Sequence, residues 1–154
     1  MQPYPVKAIL GGFMGTAVMT LMMYFVAPLT LGRPVDVAAM LGSMLGGSWT
    51  MGMVMHFING SVIFPLIYAY LLDHVLPGAP WLKGMIWGLS LWFLSQALVT
   101  PMMGGGMFSV KAGGLMAVMA SLMAHLVYGA LLGKLAGGAE DSAGLSCLCT
   151  RLAR

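Results

Sequence analysis

Residues 8–27 read Ala-Ile-Leu-Gly-Gly-Phe-Met-Gly-Thr-Ala-Val-Met-Thr-Leu-Met-Met-Tyr-Phe-Val-Ala, an uncharged run with Lys7 before it and Pro28 after it. As a helix rising about 1.5 Å per residue, such a run covers about 30 Å, the thickness of a bilayer's hydrocarbon core. The stretch is too long and too free of a small-residue cleavage site to be a signal peptide, and it reads as a retained first span.

Three more runs of this kind follow, so the expected spans cover about 8–27, 49–72, 84–100 and 112–135. Proline is expected to end the first at Pro28 and the third at Pro101. The second is closed by Asp73, His74, Pro77, Gly78 and Pro80. Between the first two spans, 37–47 is too short and glycine-rich to cross and is expected as an interfacial or re-entrant helix. The fold class is therefore all-α: a polytopic four-helix bundle over 1–135, with a flexible tail over 136–154 carrying Glu140, Asp141, Cys147 and Cys149. Two cysteines two residues apart are too close for an ordinary structural disulfide.

Composition agrees. Only 7% of the 154 residues are charged, 60% are hydrophobic and the mean hydropathy is +0.93, which requires lipid as solvent. A net charge of +3 on so few charged residues makes no nucleic-acid face. Lys7, Lys83, Lys134, Arg151 and Arg154 fall on one side of the four-span arrangement, Arg33 and Lys111 on the other. The positive-inside rule then puts both termini in the cytoplasm.

The halves share a pattern. Lys7 and Lys83 each have glycine five residues on, at Gly12 and Gly88; Pro28 and Pro101 follow; His56 and Gly60 recur as His125 and Gly129. Both halves start on the same side, so the expected repeat is parallel, about an axis along the membrane normal. Gly11, Gly12, Gly15 and Thr16, with Gly84 and Gly88, form small-residue faces suited to close helix packing, either inside the bundle or in a homo-oligomer.

The polar residues inside the spans are few. Met53, His56, Asn59 and Gly60 share one face of span two, and Ser121, His125, Tyr128 and Gly129 share one of span four. These faces should turn inward, where each ring finds a carbonyl, serine or tyrosine. Two chemistries compete with that structural role. His56 and His125 are candidate ligands of haem b, which bundles hold between facing helices. Met53 and Met55 with His56 and His125 are candidate ligands of Cu(I), although alternating methionines cannot all face one ion. Against a shared iron stands depth: Asp73 is 17 residues beyond His56 and Lys134 is 9 beyond His125. Counted from those charges, the two rings should sit about 12 Å apart along the normal.

Catalysis finds no support, since no carboxylate lies inside a span and no phosphate-binding, zinc-protease or nucleophile-elbow motif occurs. The segments Met55-His-Phe-Ile-Asn-Gly60, Ala124-His-Leu-Val-Tyr-Gly129, Asp36-Val-Ala-Ala-Met-Leu-Gly-Ser43 and Trp81-Leu-Lys-Gly84 resemble a family of uncharacterised small bacterial membrane proteins, over residues 7 to 135. That resemblance implies a four-helix inner-membrane protein of unknown function and transfers no catalytic residue. The expected role is a non-catalytic accessory or scaffold subunit, or a self-associating bundle, within a bilayer or a larger membrane complex. The rival readings are a haem or copper protein and, behind it, a small transporter or channel.

Overall fold

The computed structural model describes residues 5–73 and 75–137. The expectations for His74 and for the tail from 138 onward, with Cys147 and Cys149, lie outside the described residues. Four helices are long and apolar enough to cross a membrane: α1 (Pro5–Leu31), α3 (Trp49–Leu72), α4 (Pro80–Met102) and α5 (Gly114–Gly137). The short α2 (Val37–Ser43) lies between the first two. It stops four residues before the expected end at 47, because Gly46 and Gly47 adopt positive φ and turn the chain into α3.

The prolines do not end their helices. In α1, α3 and α4 the residue before the proline bonds five residues back instead of four: Ala27 to Met22, Phe64 to Asn59 and Thr100 to Ser95. Each span thus carries a π turn two residues ahead of Pro28, Pro65 or Pro101. A proline ring presses on the carbonyl four residues back, and in lipid the helix shifts register rather than expose its backbone. Spans one and three consequently run past Pro28 to Leu31 and past Pro101 to Met102.

Each dislocation releases one carbonyl. With the proline lacking an N–H and its predecessor already bonded, the oxygens of Met23, Gly60 and Gln96 have no donor in their own ladder. The Val35 amide fills the first at 3.0 Å, tying the chain entering α2 to α1. The Tyr128 hydroxyl of α5 fills the second at 2.7 Å.

Helix α5 is the centre of the bundle, packed between α1 and α4, with α3 on the other flank of α1. Near the end bearing Pro5 and Gly137, here the terminal end, backbones meet directly. A Cβ on Gly84 would overlap the Gly129 carbonyl, one on Gly88 the His125 carbonyl, and one on Gly12 would stand 2.6 Å from the Gly60 carbonyl. The expected small-residue faces are therefore occupied within the bundle: Gly11 and Gly15 meet Leu132 and Tyr128, Thr16 meets Gly60, and Gly84 and Gly88 meet α5. Gly12 with Gly60 and Gly88 with Gly129, paired in the sequence pattern, make corresponding approaches.

The same end is tied by Lys83, which is 9% exposed and whose Nζ reaches the Asp73 carbonyl at 2.8 Å and its carboxylate at 3.3 Å. Tyr68 is fully buried beside Pro80.

Candidate functional site

At the far end the helices part. Glycine holds α1, α4 and α5 close only along their terminal halves, and larger side chains beyond keep them separate. The result is a cavity of about 460 Å³ lined by α1, α2, α3, α4 and α5. Its wall is mainly apolar, and eight of the seventeen methionines line it, among them Met19 and Met23 of α1 and Met116, Met119 and Met123 of α5. Its polar floor holds Thr16, His56, Asn59, Ser121, His125 and Tyr128.

The sequence-selected residues divide accordingly. His56, Asn59, Gly60, Ser121, His125 and Tyr128 come together on this cavity. Gly129 faces α4 in the glycine seam. Met53 and Met55 are half-buried and do not line the cavity.

The two histidines are level. Gly12 of α1 meets Gly60, Gly15 meets Tyr128, and these steps on α1 are only about 4.5 Å apart. The Tyr128–Gly60 hydrogen bond joins the same two levels. His56 lies four residues before Gly60 and His125 three before Tyr128, on helices running the same way. These contacts replace the expected 12 Å offset, and part of the difference is that Lys134 does not mark a helix end: α5 continues three residues, about 4.5 Å, to Gly137, which packs against Pro80.

The hydrogen bonds assign both tautomers. His125 Nδ1 lies 2.8 Å from the Ser121 carbonyl. A carbonyl only accepts, so Nδ1 carries the proton and Nε2 a lone pair. His56 Nε2 lies 3.0 Å from Thr20 Oγ1, whose own proton goes to the Thr16 carbonyl at 2.7 Å. Thr20 must accept, so His56 is protonated on Nε2 and its lone pair is on Nδ1. Neither lone-pair nitrogen has a hydrogen-bond partner among the described residues. Sequence reading singles out both histidines for a site but Thr20, four residues beyond Thr16, only for helix packing, because its role depends on a contact 36 residues away.

Two coverings shape the far end. On one side Asp36 caps α2 through the Ala39 amide and also accepts from Tyr24 and the Trp49 indole, fastening α2 to α1 and α3. On the other, Phe108 and Ser109 adopt φ of 50° and 55°, uncommon for residues with a Cβ. That turn inserts the Ser109 hydroxyl against Gln96 Oε1 at 2.8 Å, both residues being buried, and sets the Phe108 ring near Trp92 and Phe93. Arg33 and Lys111 flank this end: the Arg33 guanidinium comes near Gly113, and Lys111 directly precedes the lining residue Ala112.

The fold and cavity define a multi-pass membrane protein, an all-α bundle whose helices match a bilayer in length and composition. No cluster of three or more histidine, cysteine or acidic groups suited to a metal ion occurs among the described residues. A family model described as a family of unknown function, DUF6789, matches residues 3–143, and the chain belongs to that family. No curated protein and no solved structure matches it.

Proposed function

We propose that this protein is a non-catalytic accessory component of a bacterial cytoplasmic membrane, both termini inside, that holds one largely apolar, cofactor-sized guest in the far half of its bundle. One observation carries the reading: a cavity of about 460 Å³, within the usual 300–1,000 Å³ of small-molecule sites, is lined by two imidazoles that each keep one ring nitrogen without a hydrogen-bond partner among the described residues. A pure scaffold gives no account of that space. Self-association through the small-residue faces is disfavoured because Gly11, Gly12, Gly15, Gly84 and Gly88 already pack within the bundle. Transport is disfavoured by the same contacts, since access from the terminal end would require the Gly84–Gly129 seam to part.

Solvent extraction of protein purified in mild detergent, followed by mass spectrometry, tests the reading. One guest per chain is expected, and Ala120→Trp, which fills the cavity, should lose it while remaining helical and monodisperse. A wild-type protein that carries no stoichiometric guest and binds no apolar probe in the cavity overturns the proposal.

A further inference from the structure

We propose that the guest is an iron porphyrin whose metal is ligated by Nε2 of His125, with Nδ1 of His56 as the second nitrogen available to it; this rests on the cavity-binding reading above. Four observations converge. The space is far larger than a bare ion needs and suits an organic cofactor. Its wall is apolar and rich in thioethers, which pack adaptably against flat aromatic surfaces.

The third observation is the tautomers. A ligating imidazole characteristically gives its other N–H to a carbonyl or comparable acceptor, which orients the ring and raises the basicity of the ligating nitrogen. His125 does so to the Ser121 carbonyl. His56 does so to Thr20, itself held by the Thr16 carbonyl, while the Thr16 hydroxyl is held by the Gly12 carbonyl. Both lone pairs are thus preset, on residues that line the cavity, with no protein donor for them among the described residues. Simple packing histidines have no need of two such nitrogens left over on one cavity.

The fourth is charge. Propionate groups at a porphyrin edge need cations, and Arg33 and Lys111 stand at the far end of the bundle, beside Gly113 and the lining residue Ala112. A guest that only donated hydrogen bonds to the imidazoles would use the same lone pairs without iron, so the test must separate ligation from occupancy.

Full-length protein in detergent is titrated with ferric haem b and, separately, with metal-free protoporphyrin IX. Haem should bind one per chain with the Soret shift of an imidazole-ligated iron, and protoporphyrin at least about tenfold more weakly. His125→Ala should lose the ligation spectrum and regain it with added imidazole. His125→Met should move the spectrum rather than abolish it, which separates lost ligation from misfolding. Haem and protoporphyrin binding equally, with His125→Ala spectrally unchanged, overturns ligation and leaves the cavity reading standing. Failure to bind either porphyrin, when solvent extraction recovers another guest, overturns the iron assignment alone; failure of both measurements overturns both.

Discussion

The Tyr128 hydroxyl donates to the Gly60 carbonyl at 2.7 Å, across 68 residues of sequence, and this oxygen is the one that Pro65 leaves without a donor in its own helix. Removing that hydroxyl should leave a buried acceptor unpaired. Tyr128→Phe is expected to lose about 1 kcal/mol, up to ~2, of unfolding free energy in detergent. In a Pro65→Ala background, where residue 65 regains an N–H for Gly60, the same change should cost markedly less. A double-mutant cycle measures the difference, and strict additivity would remove the explanation.

The glycine seam makes a second prediction. A Cβ at position 129 would overlap the Gly84 carbonyl, and the neighbour is backbone, which cannot swing aside. Gly129→Ala should therefore separate α4 from α5 and cost about 1–3 kcal/mol, the range for overpacking a tight core. Thermal unfolding read by circular dichroism would register it, and a wild-type melting temperature would argue against the seam.

Acid should act first on the covering made by α2. Burial alone would raise the Asp36 carboxyl, but Tyr24, the Ala39 and Ala38 amides and Trp49 together hold it below its ordinary 3.8. A depressed carboxyl contributes stability that is complete above the unfolded value and is lost as the pH falls through the folded one. The α2 attachment should hold through the ordinary carboxylate range and release only below it. Hydrogen exchange of the α2 amides against pH would follow this, and release near neutral pH would contradict it.

Orientation can be read with the native cysteines. With the termini inside, a membrane-impermeant maleimide should label Cys147 and Cys149 in inverted vesicles and leave them unlabelled in intact spheroplasts. Labelling from outside would reverse the topology.

The spans were legible because lipid imposes length and apolarity on every crossing segment, and residues 8–27 state both without reference to any other part of the chain. The prolines were misleading for a physical reason. In water Pro28 and Pro101 would end a helix whose freed carbonyls solvent could satisfy, whereas the register shift to Met22 and Ser95 keeps the backbone bonded inside an apolar medium. The His56 and His125 motifs were visible by spacing, and their inward orientation followed from the cost of a bare imidazole in hydrocarbon.

Hydropathy, charge placement and helical periodicity, all local properties, thus determined the number of crossings, the short helix between the first two, and the faces bearing the polar residues. Only the tertiary structure decided that His56 and His125 share a level, that Thr20 and Ser121 set their protons, and that eight methionines line one space. Those outcomes depend on which backbones approach closely and where a continuing helix such as α5 ends. They are pairwise relations between distant residues, which no window along a single chain contains.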